Sequence, residues 1–237
     1  MSERSGSRGV LGRLRDAVCR VREDVAAIRD RDPAAGGTLD VLLFYPGMTA
    51  VWTHRVAHAL WRRNRRFGAR ALSHLVRLLT AVEIHPGAEL GRRVTIDHGA
   101  GVVVGETAEL GDDVHLYHGV TLGANRPQPG KRHPTVEANV VLGANSTVVG
   151  PVTVGERAVV GAGAVVTDDV PAGATMVGNP AERVDGVRAV ADDDEGGAVG
   201  GAATADADGT DVGGADADGA GVDDDADSAS RAPFRCS

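Results

Sequence analysis

The chain has 237 residues, 42% of them hydrophobic and 3% aromatic, with a formal net charge of −8. That charge is uneven: residues 189–237 hold 13 Asp and Glu against two Arg, which leaves residues 1–188 with a net of +3. No apolar run reaches membrane-spanning length, the first ten residues lack the apolar core of a signal peptide, and two cysteines, Cys19 and Cys236, give no framework for a disulfide-built fold. These features exclude a helical membrane protein and point to a cytoplasmic protein of one large or two modest domains.

In chain order, the first element is a helix. Leu11, Leu14, Val18, Val21, Val25 and Ile28 recur at spacings of three and four, one apolar stripe that ends near Asp32-Pro33. A second helical stretch runs from about Leu39, breaks at Pro46-Gly47 and resumes from Val51 to Arg66; Gly68 then marks a boundary before a helix over Ala69 to Leu79. Arg62, Arg63, Arg65, Arg66, Arg70 and Arg77 make this region basic. Aromatic interleaving and a nucleic-acid-binding motif are missing, so the arginines read as an exposed helical face and no nucleic-acid partner is expected. Residues 1–80 are assigned to a helical N-terminal domain.

From Ile84 an aliphatic residue returns every six positions: Ile84, Leu90, Ile96, then Val104, Leu110, Leu116, Leu122, then Val136, Leu142, Val148, Val154, Val160 and Val166. Six is the period of neither a helix nor an ordinary strand. It is that of a hexapeptide solenoid, in which each hexad forms one flat face of a coil and the aliphatic side chain stacks inside. Small residues after the aliphatic one, as in Leu110-Gly111 and Leu142-Gly143, suit the corners. The pattern predicts an all-β solenoid over residues 81–185.

The register slips twice. Between Ile96 and Val104 the step is eight residues, following Asp97-His98-Gly99-Ala100-Gly101, and between Leu122 and Val136 it is fourteen, across Asn125 to Pro134. Extra residues must leave the coil as loops, and loops on a rigid scaffold are where binding and catalytic groups concentrate. Both slips hold a histidine, and the second adds Lys131 and Arg132. Beyond the solenoid, the Ala-, Gly- and Asp-rich segment 189–237 has almost nothing apolar larger than Val. Such a segment buries too little surface to offset its ordering entropy and is predicted to be disordered. Its DADG stretches lack the spacing and final Glu of a calcium loop.

Several segments carry a resemblance. Asp32-Pro33-Ala34-Ala35, Tyr45-Pro46-Gly47, His54-Arg55-Val56-Ala57-His58, Glu83-Ile84-His85-Pro86-Gly87-Ala88, Ile96-Asp97-His98-Gly99, Val104-Gly105-Glu106-Thr107-Ala108, Gly119-Val120-Thr121-Leu122-Gly123 and Lys131-Arg132-His133-Pro134 resemble, in order, the signatures of serine O-acetyltransferase. The match spans roughly residues 10–185, including the helical part outside the hexads. The resemblance implies a left-handed parallel β-helix and acetyl transfer from acetyl-CoA, as co-substrate, to the L-serine hydroxyl, the first committed step of cysteine synthesis, with no metal. It also implies homo-oligomers with site parts drawn from two subunits, either a trimer or a dimer of trimers.

Residue by residue, His98 matches the family's general base. A serine hydroxyl needs a base that titrates near the operating pH, which histidine supplies. Glu83, where some relatives have Asp, matches the carboxylate that steadies the imidazole. It lies 15 residues before His98, close to one coil. Arg132 and His133 match the groups that hold the substrate carboxylate, Asp32 and Asp97 those that receive its ammonium group. Asp32 meets the others only if the helical domain folds over a coil edge. Backbone N–H groups near Gly123 are expected to serve the oxyanion, and Gly123, Ala144 and Ala162 match positions along coenzyme A. The chain departs from the family at Ala124, where a second glycine is usual, and at Glu182, where Arg usually follows Pro-Ala. Relatives that complex with O-acetylserine sulfhydrylase do so through a C-terminal isoleucine; this chain ends Phe234-Arg235-Cys236-Ser237, so that mode of association is expected to be absent or weak.

Two other readings start from the same residues. His98, His115 and His118 could serve as zinc ligands, as in β-helical carbonic anhydrases, but this leaves Asp32, Glu83 and the Arg132-His133 loop unexplained. Sugar and antibiotic acetyltransferases share the solenoid and the histidine base, but have no need of paired acids and an Arg-His clamp suited to an amino acid.

Overall fold

The computed structural model describes residues 10–184; the acidic segment 189–237 lies outside the described residues. Four helices come first: α1 (Val10–Arg31), α2 (Thr38–Phe44), α3 (Pro46–Arg62) and α4 (Arg66–Thr80). The predicted stripe on α1 is buried at Val25 and Ile28, whereas Val18 is 45% exposed. α1 stops two residues short of Pro33, as expected for a residue pushed from helical angles by the proline that follows.

Two expected boundaries move. The break expected at Pro46-Gly47 falls one residue earlier, at Tyr45 between α2 and α3, and Pro46 sits in the first turn of α3, where a missing N–H costs nothing. Gly68 lies inside α4; the break falls at Arg63–Arg65, where Asn64 takes a left-handed backbone with φ 59°. Asparagine tolerates that conformation. A glycine in the first turn of a helix is too weak a breaker to end it.

The hexads form short parallel strands on three faces. The first face stacks Glu83–Ile84, Val103–Val104, Thr121–Gly123, Thr147–Val149 and Val165–Val166. The second stacks Glu89–Leu90, Glu109–Leu110, Thr135–Val136 and Thr153–Val154, and the third runs from Thr95–Ile96 through His115–Leu116, Val141–Leu142 and Val159–Val160 to Thr175–Val177. Glu182–Val184 pairs antiparallel with the last of these and closes that face. The aliphatic series stacks on itself as predicted: Ile84 opposite Val104, Val104 opposite Leu122, Leu122 opposite Val148 and Val148 opposite Val166. These side chains are buried, and each such burial contributes about 1.5–3 kcal/mol.

The corner glycines are needed because successive coils almost touch there. A Cβ on Gly143 would lie 2.6 Å from the Ala162 amide nitrogen, and one on Gly111 would lie 2.8 Å from that of Ala138. The left-handed turn falls two residues after the corner glycine, at Arg93, Asp113, Asn145 and Arg157. The sequence expectation of small corner residues is therefore correct, and close backbone approach is its cause.

The helices cover the first coil. Gly47 of α3 lies directly on the Ile96 backbone, where any Cβ would collide with the Ile96 carbonyl oxygen. The Ser73 hydroxyl of α4 donates to the Ile84 carbonyl at 2.6 Å, and His58 of α3 bonds the Pro86 carbonyl at 2.9 Å. Met48 and Val51 join Val82, Ile84 and Ile96 in one apolar core, so the helices close the end that a solenoid must cap. Asp24, 1% exposed, ties α1 to α3 by accepting from Arg55 at 2.5 and 3.1 Å and from Trp52 at 2.9 Å.

Candidate active site

His98 sits at the corner that joins the third face to the first, in the loop created by the first register slip. Its backbone is left-handed (φ 58°), an uncommon conformation for a residue with a side chain. Gly99 follows with φ 77° and its N–H donates to the Asp97 carbonyl at 2.7 Å. Gly99 packs so tightly on Val82 and Gly47 that an added Cβ would stand 2.9 Å from Val82 Cγ2. This tight turn projects the imidazole outward, with its side chain 74% exposed and Nε2 3.9 Å from the Asp97 carboxylate.

Asp32 reaches this corner from the helical part. Tyr45 donates its phenolic O–H to one carboxylate oxygen and the Ala34 amide donates to the other at 2.8 Å. The Tyr45 bond is the main cause holding the Asp32 carboxyl below its ordinary range, the Ala34 amide adds to it, and a charge on His98 acts in the same direction. Burial, then the Asp32 hydrogen bond and charge, push the Tyr45 phenol up, with further contributions from Asp40 and Asp97. Asp32, held by Tyr45 and Ala34, is therefore an ionised acceptor at the helix end that faces the turn carrying Asp97 and His98. The contact between Gly47 and Ile96 accounts for the Tyr-Pro-Gly signature: it seats the start of α3, and hence Tyr45, against the turn that carries Asp97.

Arg132 and His133 occupy a different corner, the one joining the first face to the second. There Thr107 organises them. Its hydroxyl oxygen accepts the backbone N–H groups of Arg132 and His133, each at 3.1 Å, and lies 2.9 Å from His133 Nδ1. The Thr107 N–H donates to the same Nδ1 at 3.2 Å, so in the neutral ring the proton belongs on Nε2, leaving a donor. The imidazole packs against Gly105, where a Cβ would collide with His133 Cδ2. The Arg132 guanidinium pairs with Glu106, which holds the Glu106 carboxyl below its ordinary range.

The other expected residues divide between these corners. Ala144 and Ala162 stack beyond His118 on the His98 corner, through Asn145 N–H to His118 O at 2.8 Å and Gly163 N–H to Ala144 O at 2.8 Å. Gly123 ends its strand at the Arg132 corner, and Ala124 has no left-handed backbone, so its methyl is tolerated. Glu83 lies on the first face with its carboxylate 3.0 Å from Arg77, and the ion pair of His98 is with Asp97. Tyr45, Gly47, Gly105, Glu106 and Thr107 lie within the same signatures, and their contacts emerge only in the fold.

The three histidines of the zinc reading are differently occupied. His98 and His118 meet edge to face, with ring centroids 6.0 Å apart. His115 is buried, with Nδ1 2.7 Å from Thr95 Oγ1 and its ring against Tyr117.

Residues 4–53 match the family model described as serine acetyltransferase, N-terminal, and residues 135–168 match the hexapeptide repeat of succinyl-transferase. A serine acetyltransferase of Mycobacterium tuberculosis is 54% identical over 164 residues, covering 69% of this chain and 72% of that protein. Among solved structures, the Neisseria gonorrhoeae serine acetyltransferase in complex with serine superimposes with a TM-score of 0.69 at 37% identity, over 73% of each chain. A serine acetyltransferase in complex with cysteine gives a TM-score of 0.70 at 38% identity, over 72% of this chain and 70% of that one. Helical cap, hexapeptide solenoid and relatives agree, and this chain, an acyltransferase, belongs to the serine acetyltransferase family.

Proposed function

We propose that the chain transfers the acetyl group of acetyl-CoA to the hydroxyl of L-serine, with His98 as general base. The observation that carries this reading is the delivery of ionised Asp32 to the Asp97–His98 turn. Two carboxylates beside one exposed imidazole suit a substrate that presents an ammonium group next to its nucleophilic hydroxyl. His98 takes the hydroxyl proton as the serine oxygen attacks the thioester carbonyl; the C–S bond then breaks and the proton passes to the CoA sulfur. Arg132 and the Nε2–H of His133 hold the substrate carboxylate, backbone N–H groups near Gly123 stabilise the oxyanion, and CoA lies along the small residues Ala144 and Ala162. Glu83 steadies the charged imidazole after leaving Arg77.

Ammonium and carboxylate subsites on different corners of one chain call for a second copy, and the first face suits that contact. Its outward positions after Glu83 are Val103, Thr121, Thr147 and Val165, all uncharged, whereas the second face begins outward with Glu89 and Glu109. We therefore infer a trimer of left-handed β-helices, with residues 1–80 as helical domain, 81–185 as acyltransferase domain and 189–237 as an acidic tail. No helix among the described residues is long and apolar enough to cross a membrane, in keeping with a cytoplasmic location.

The test is CoA thiol release by the purified protein with acetyl-CoA and L-serine, L-homoserine, a galactoside or no acceptor. Release that requires L-serine is expected. Release with the galactoside instead would keep the fold and His98 but remove the roles given to Asp32 and the Arg132 corner.

A further inference from the structure

Arg31 is the last residue of α1 and immediately precedes Asp32. Its guanidinium reaches across to two successive coils. Nη1 donates to the Arg93 carbonyl at 3.2 Å and to Thr95 Oγ1 at 2.8 Å, while Nη2 donates to the Asp113 carbonyl at 3.1 Å and stands 3.5 Å from the Asp113 carboxylate. A planar fork bonded to acceptors on two rungs fixes the orientation of the helix end as well as its distance. Asp32 inherits that orientation, because its own N–H still donates to Ile28 O at 2.8 Å within the last turn of α1.

On the solenoid side, Thr95 stands two residues before Asp97 and three before His98. Thr95 is fully buried and accepts from Arg31, so its own proton is best placed on His115 Nδ1 rather than left unpaired. The result is a short closed circuit from Arg31 to Asp32, across the substrate position to His98 and Asp97, and back along one strand to Thr95. Stability alone gives little reason for such a contact, since desolvating a guanidinium offsets much of what its pairing contributes.

We propose that Arg31 is a positioning residue for the amino-acid substrate: by clamping the end of α1 to Arg93, Thr95 and Asp113 it sets the gap between Asp32 and the Asp97–His98 turn, without touching substrate. This inference rests on the reading of Asp32 as the ammonium acceptor. The test is steady-state kinetics of Arg31→Ala, Arg31→Lys and Thr95→Val, varying L-serine and acetyl-CoA separately, with 3-hydroxypropanoate as an acceptor lacking the ammonium group.

For Arg31→Ala the KM for L-serine should rise about ten-fold, with the KM for acetyl-CoA changed by less than about two-fold, the signature of lost substrate binding at one subsite. Preference for L-serine over 3-hydroxypropanoate should shrink in parallel. Thr95→Val should move the same way by less, and Arg31→Lys should recover part of the loss, because a point charge meets fewer of the acceptors. Unchanged preference in all three variants, or equal loss toward both acceptors, would overturn the proposal. Asp32→Asn separates the two levels. If it leaves the L-serine KM unchanged, the ammonium site itself is misassigned; if it raises KM while the Arg31 and Thr95 variants do not, only the positioning role fails.

Discussion

At the scale of single residues, the same side chain, histidine, does opposite work at different depths. His98 is held outward by a left-handed turn, so replacing it disturbs little packing. His98→Ala is expected to lower kcat by about 10²–10⁴-fold, the usual contribution of general base catalysis, with thermal stability unchanged. Turnover near wild type in that variant would remove His98 from the mechanism. His54 and His115 are instead buried and neutral. Burial, then the neighbouring His58, pushes the His54 imidazole down to about 3; burial, then the charge of Arg31, pushes His115 down to about 4. The unfolded chain takes up these protons near pH 6.5, before the native state does, so protonation favours unfolding in that range. Stability is therefore expected to be full above about pH 6.5 and to fall as pH drops toward 4. Denaturant titrations at pH 7 and 4.5 measure this directly, and equal midpoints would contradict the burial of both rings.

At the scale of elements, the solenoid is built from hexads whose inward residue was visible in the sequence, because a fixed period leaves a fixed trace. What the period did not reveal is why the corners need glycine. The Gly143 corner lies 2.6 Å, measured from an ideal Cβ, from the next coil's backbone, and backbone cannot rotate aside as a side chain can. Gly143→Ala is accordingly expected to destabilise by about 1–3 kcal/mol, a typical overpacking cost. The corner at Gly163 offers a contrast. No atom lies within 4 Å of an added Cβ there, but φ is 69°, so a substitution at Gly163 is opposed by backbone conformation alone. Thermal melts of Gly143→Ala that matched wild type would show that adjacent coils can separate more easily than this geometry allows. Helix boundaries were less legible than hexads. Pro46 follows a break and opens a helix whereas Gly68 lies inside one, because position within the turn decides what a proline or glycine does.

At the scale of the whole molecule, the corners that carry His98 and Arg132 lie at opposite edges of the first face, and under the proposed function each is one half of a site. The helical part also exposes apolar side chains, Leu39, Leu43 and Phe44 on α2 and Leu75, Leu78 and Leu79 on α4, between 53% and 74% exposed. Apolar clusters of this kind mark association surfaces, and a second copy of the chain is the occupant that the proposed trimer would bring. A subunit carrying His98→Ala and one carrying Arg132→Ala should each be inactive alone. Mixed at equal amounts within trimers, they should recover about a quarter of wild-type activity, because each mixed trimer regenerates one site between the two intact corners. No recovery in verified mixed trimers would place the whole site within one chain.

The sequence by itself determined the solenoid, the two points where its register slips, the stripe on α1 and the signatures of the serine acetyltransferase family. Each of these is written locally, as a period, an interruption or a short motif. Only the tertiary structure decided which of those residues meet. Asp32 is brought toward the His98 turn because Gly47 lets α3 lie on Ile96, a contact between segments some 50 residues apart, and Tyr45 holds the carboxylate. Arg132 does not reach it within the chain, because residues 18 to 26 apart in sequence stack as neighbours while residues on adjacent corners are separated by a full face. Glu83 also pairs with Arg77 of α4, a contact that the hexad pattern cannot see. Periodicity reports what faces inward; which surfaces come together depends on long-range packing that no single repeat contains.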